Sequence, residues 1–141
     1  MTTLIYAIGN PLRRDDGVAL RVLALLGEGS WTVHTARELV PEMAEEASRA
    51  DRVVFIDADF QPGEARVEEL KAACCPGLLS HGLRPCDLLS LTRKLYGFKG
   101  KAWVCRVPGE DFSPGEGLSE KAAANAERAA AMVAALLREE G

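Results

Sequence analysis

The sequence predicts an α/β fold: a three-layer α/β/α sandwich built on a mostly parallel, mixed sheet of about five strands. Three observations carry that expectation. Val53-Val54-Phe55-Ile56 is β-branched, aromatic and without polar alternation, the pattern of a central strand covered on both faces. Strand-like and helix-like segments follow one another as β-α-β-α-β-β-α-β-α, an order that puts helices on both sides of one sheet. A first apolar run, Leu4 to Ile8, stops at Gly9-Asn10 and gives way to an amphipathic pattern. The loop between them carries Asp15 and Asp16, at the kind of strand exit where open α/β sheets bind ligands.

The elements follow in order. Leu4 to Ile8 reads as a buried strand because it is continuously apolar and ends at a turn pair. From Asp16, the spacing of Val18, Leu20, Val22, Leu23, Leu25 and Leu26 fits a helix ending near Gly27 to Gly29. Trp31 to Thr35 alternates as a short strand, with His34 turned to solvent. Pro41 to Ala50 reads as a helix with Pro41 in its first turn and Glu42, Glu45 and Glu46 on its wet face. Val53 to Ile56 runs into Asp57-Ala58-Asp59, Gln61 to Glu64 is a turn, and Ala65 to Leu70 alternates like an edge strand. Ala72 to Pro85 is irregular. A helix is expected over Pro85 to Tyr96, a strand over Ala102 to Val107 and a loop over Phe112 to Gly117. Ser119 is placed to cap a last helix with Ala126, Ala130, Val133 and Leu137 along one face.

The 141 residues are one domain's worth, enough to bury a core without staples. A net charge of −4 argues against nucleic acid or a membrane surface as partner. The apolar start is too short to span a bilayer, so a cytoplasmic protein is expected. None of the four cysteines (Cys74, Cys75, Cys86 and Cys105) forms a Cys-x-x-Cys pair, which favours reduced, mostly buried thiols over a zinc site.

Three side chains carry the candidate chemistry. A carboxylate at a helix start can cap free amides, but that needs only one of Asp15 and Asp16, leaving the other for a crevice. Asp57 ends the most buried strand, where a carboxylate must meet a partner, a metal or backbone donors. His81, between Ser80 and Gly82 and just ahead of a helix, adds an imidazole. Asp16, Asp57 and His81 make a two-carboxylate, one-histidine set suited to a divalent transition metal with open positions. Their side chains are expected close together at one end of the sheet. The first loop lacks Gly-x-Gly-x-x-Gly, and its carboxylates would repel a pyrophosphate, which excludes a dinucleotide site. Arg13 and Arg14 on that loop read as solvated.

Gly9-Asn10-Pro11-Leu12 followed by Asp15-Asp16-Gly17 resembles the opening motif of the nickel–iron hydrogenase maturation proteases. Ile56-Asp57-Ala58 resembles their second motif, and Ser80-His81-Gly82-Leu83 with Asp87-Leu88-Leu89 their third. Gly115-Glu116-Gly117-Leu118-Ser119 is similar to the segment before their last helix. The chain departs from the family at 35–42, where a Gly-Thr-rich turn is common, and at Ala19, where glycine is frequent.

The resemblance implies one protease-like domain over residues 1–141. It implies an endopeptidase that removes a C-terminal extension from a hydrogenase large-subunit precursor after nickel insertion. Asp16, Asp57 and His81 would then be both catalytic and metal-facing. The nickel would be carried by the substrate, no organic cofactor would be needed, and the protein would be a monomer or weak homo-oligomer. Two other readings stay open: a non-catalytic factor that binds nickel or the precursor, and a metal-dependent hydrolase of small amides. A covalent nucleophile is not expected, since no Ser-His-Asp or Cys-His arrangement has a persuasive context.

Overall fold

In a computed structural model, which describes residues 1–71 and 83–139, the chain begins with β1 (Thr3–Ile8), a 3-10 turn (Arg14–Gly17) and α1 (Val18–Leu26). It continues through β2 (Thr32–Ala36), α2 (Met43–Ser48), β3 (Arg52–Asp59) and β4 (Arg66–Leu70). It ends with α3 (Pro85–Tyr96), β5 (Lys101–Pro108) and α4 (Glu120–Arg138).

The strands form one five-stranded sheet in the order β2-β1-β3-β5-β4. The first four in that order run parallel, and β4 joins the β5 edge antiparallel. This is the α/β architecture expected from the alternation of elements.

Residues alternate between two cores, one on each face of the sheet. Ile5, Ala7, Val54, Ile56, Cys105 and Val107 pack with residues of α1 and α4. Leu4, Tyr6, Val53, Phe55 and Val104 pack with residues of α2 and α3. Burial on both faces explains why β1 and the first part of β3 read as unbroken apolar runs.

The α4 stripe of Ala126, Ala130, Val133 and Leu137 is buried, and the Ser119 hydroxyl accepts the Ala122 N–H as its cap. At the other end of α4 the Arg52 guanidinium donates to the carbonyls of Leu136, Leu137 and Glu139.

Some expectations are corrected. His34 is half-buried: its Nδ1 lies 2.8 Å from Glu46 Oε1, and its ring leans on Tyr6. Glu46 is only partly on the wet face: half-buried, it also accepts the Tyr6 hydroxyl at 3.0 Å. Cys105 is a buried free thiol, but Cys86 is disulfide-bonded, against the expectation of reduced thiols. Cys74 and Cys75 lie outside the described residues. No helix among the described residues is long and apolar enough to cross a membrane.

The connections place the site. From β1 the chain passes through α1 to β2 on one side, then through α2 to β3 on the other side of β1. The direction of winding therefore reverses at β1, and the carboxyl ends of β1 and β3 form the switch point at which open α/β sheets bind their ligands.

Candidate active site

The first loop is shaped around Asp16. Asn10 starts the turn: its side-chain oxygen accepts the Leu12 N–H at 2.9 Å, and its carbonyl accepts the Arg13 N–H at 3.0 Å. Its own N–H donates to Asp16 Oδ2 at 2.8 Å. Asp16 Oδ1 receives no hydrogen bond among the described residues. Gly9 adopts φ +148°, and a Cβ there would collide with the Asp16 carbonyl oxygen. A side chain at position 9 would therefore push Asp16 away, and only glycine permits this approach.

Asp15 does something else. It is fully buried, and its carboxylate accepts the N–H groups of Glu110, Asp111 and Ser119 and the Ser119 hydroxyl, all within 2.7–2.9 Å. Burial alone would raise its pKa, but these donors outweigh it and hold the carboxyl below the usual aspartate range. Asp15 thus ties the first loop to the segment between β5 and α4. Of the two adjacent carboxylates, Asp15 is thus the structural one, as expected.

Arg14 completes that seam, with φ +44°, its N–H on the Gly115 carbonyl and its guanidinium on the Glu116 carbonyl and near Asp111. The expectation that Arg14 is merely solvated is therefore wrong.

Asp57 sits in β3 opposite Ile8 of β1 and Arg106 of β5, near the carboxyl end of its strand. Its carboxylate is largely buried and forms no salt bridge among the described residues. The Ala58 backbone helps to stabilise its charged form. Burial pushes the Asp57 carboxyl up to about 6; the Arg106 charge pulls against this, and the charges of Asp16 and Asp59 add to it. Asp16 and Asp57 therefore share one electrostatic environment. Asp59 is held elsewhere, by Arg66 at 2.8 Å and the Gln61 N–H at 3.0 Å.

His81 lies outside the described residues. Among those residues no cluster of three potential metal ligands is formed. Leu83 forms an antiparallel bridge with Leu39, in the connection that leaves β2.

Arg106 is the residue near this site that the sequence reading did not single out. Alternation along β5 is the signal that finds it, because Val104 and Arg106 share a face and Arg106 falls beside Asp57.

Chemically, the site offers one carboxylate half-engaged by a loop amide and a second, desolvated carboxylate that feels the Arg106 charge but forms no direct salt bridge among the described residues. Oxygen donors of this kind suit a divalent cation or a proton-transfer role.

The sequence matches no family model and no curated protein. Solved structures share the fold. The hydrogenase maturating endopeptidase HybD from E. coli aligns with TM-score 0.81 at 24% identity, over 100% of this chain and 94% of that one. The [NiFe] hydrogenase maturation protease HycI from Thermococcus kodakarensis KOD1 aligns with TM-score 0.74 at 21% identity, over 97% and 92%. The [NiFe] hydrogenase maturation protease HybD from Thermococcus kodakarensis aligns with TM-score 0.66 at 22% identity, over 96% and 99%.

Proposed function

We propose that this chain is a metal-assisted endopeptidase that removes the C-terminal extension of a nickel–iron hydrogenase large-subunit precursor, with substrate-borne nickel as the recognition element. The observation that carries this reading is the position of Asp57 at the β1–β3 switch point, where the charge of Asp16 on the neighbouring loop acts on its carboxyl. A largely buried carboxylate without a counter-ion is costly. Among the described residues the Arg106 charge and the Ala58 backbone offset this cost only in part, since the Asp57 carboxyl stays raised to about 6, which favours a functional cation. The names of the structures sharing this fold, and the order of the three sequence motifs, point the same way.

Asp16 Oδ1 and the Asp57 carboxylate are the donors available to the metal, and His81 is proposed as the third. Chain direction supports His81. Strand β4 ends and β5 begins at the far end of the sheet, so α3 must run from the switch-point end back toward β5. Leu83, two residues after His81, is bridged beside the exit of β2. When bound, the metal supplies Lewis acidity at the scissile carbonyl or a lowered pKa in a bound water. The protein's own part is to aim Asp16 through Gly9 and Asn10 and to hold Asp57 ready to take a proton. Arg106 keeps the Asp57 carboxylate charged in its buried position.

The test is cleavage of purified nickel-loaded large-subunit precursor. Processing by the native protein, lost in Asp16→Ala with precursor binding retained, supports the peptidase. Binding without cleavage under every metal condition leaves a maturation factor instead. Turnover of a small amide without the precursor indicates the small-amide hydrolase.

A further inference from the structure

Two concavities flank the carboxylate loop on the side of β2. One, of about 350 Å3, is lined by Gly9, Pro11, Leu20, Thr35, Ala36 and Arg37. The other, of about 300 Å3, shares Pro11 and Leu20 with it and adds Arg14 and Arg21 among its walls. Together they form one groove crossed by a low apolar ridge. Among the described residues no carboxylate lines either part.

The cations here differ in how they are used. Arg14 is spent on the Glu116 carbonyl and Asp111. Arg21 and Arg37 are exposed and make no hydrogen bond or ion pair among the described residues. In a chain with net charge −4, two uncommitted guanidinium groups facing a carboxylate-free groove are a local departure from the overall balance.

The groove is also continuous with the candidate site. Gly9, in its wall, is the residue packed under Asp16. Thr35 and Ala36 belong to β2, an edge strand whose outer side pairs with no other strand among the described residues. An extended segment laid there has backbone groups to meet and leads toward Asp16.

We infer that this groove docks an extended acidic segment of the polypeptide substrate, with Arg21 and Arg37 as charge anchors and the Pro11–Leu20 ridge as apolar contact. Guanidinium forks match carboxylates in pairs, and charge complementarity of this kind governs selection and encounter. The inference rests on the peptidase reading for the identity of its occupant.

The experiment measures binding of nickel-loaded large-subunit precursor to Asp57→Asn protein, so that bound precursor is not consumed. The comparison adds Arg21→Glu with Arg37→Glu, and separately Arg21→Lys with Arg37→Lys. Circular dichroism checks that both exposed-site variants stay folded. The charge reversal is expected to weaken binding at least tenfold and to flatten its salt dependence, while the lysine pair retains most of the affinity. Cleavage by the native protein is scored in parallel. Cleavage with equal binding by the charge-reversed protein overturns the groove and leaves the peptidase standing. Charge-dependent binding without cleavage by the native protein supports the groove and overturns the peptidase. Absence of both binding and cleavage overturns the two together.

Discussion

The Asp15 carboxylate takes both the N–H of Ser119, at 2.8 Å, and its hydroxyl proton, at 2.7 Å, while that hydroxyl accepts the Ala122 N–H at 3.1 Å. A carboxylate in the first loop thereby sets the cap of the last helix, more than a hundred residues away. Removing it leaves the part-buried amides of Glu110 and Asp111 without their acceptor. Asp15→Ala is expected to cost about 2–4 kcal/mol and Ser119→Ala about 1–2 kcal/mol in urea denaturation. Because the two share one relay, the double variant should lose less than the sum. Additive losses would show that the cap works without Asp15.

The seam tolerates no added atoms at Gly109. A Cβ there would sit 2.6 Å from the Asp15 Cβ and 2.9 Å from its Oδ2. Gly109→Ala should therefore destabilise the fold by about 1–3 kcal/mol, with peptidase activity of the folded fraction largely kept. Gly9→Ala meets the Asp16 carbonyl and must also hold φ +148°. It should cost activity beyond its effect on stability, because the displaced residue is the proposed ligand. Thermal melts and specific activity, measured side by side, separate the two; equal losses at both positions would contradict this division.

The interior was readable from sequence because burial leaves a local trace. The apolar runs in β1 and β3, the helix Pro85–Tyr96 and the cap at Ser119 appear where composition puts them. What was misread depends on distant partners. β3 continues through Asp57 to Asp59 because β5 goes on pairing with it through Arg106 and Pro108. α1 starts at Val18, not Asp16, because Arg14–Gly17 is drawn into a 3-10 turn by contacts with residues 111–119. Glu46 looks like a solvated face until Tyr6 and His34 are brought against it. At the site, the separate roles of Asp15 and Asp16 depend on the Ser119 and Asn10 donors, which are not neighbours in the pattern.

Asp87 gives a pH dependence with a defined sign. The Arg84 guanidinium and backbone N–H both donate to its carboxylate, which closes the first turn of α3 and lowers the Asp87 pKa. A folded-state pKa below the unfolded value means that the stabilisation is fully present above the unfolded pKa. It is lost as pH falls through the folded value. Native protein should therefore lose stability below about pH 4 more steeply than Asp87→Asn. At neutral pH the substitution should cost about 0.5–2 kcal/mol. Denaturant titrations from pH 3 to 7 read both; parallel curves would remove Asp87 from the account.

Asp57 reverses the usual relation between conservative substitution and stability. Its carboxylate is desolvated, faces the charge of Asp16 and has only the Ala58 backbone and the Arg106 field in its favour. Asp57→Asn removes a buried charge while keeping the shape. Stability at pH 8 should stay the same or rise by about 1–2 kcal/mol, while precursor cleavage falls on the order of a hundredfold or more. Asp16→Asn weakens a carboxylate that accepts the Asn10 N–H, so it should lose about 1 kcal/mol as well as activity. Chelation of the precursor's metal should abolish cleavage by native protein and remove whatever residual cleavage either variant keeps. An Asp57→Asn protein that is destabilised yet fully active would make Asp57 a structural residue and move the chemistry elsewhere.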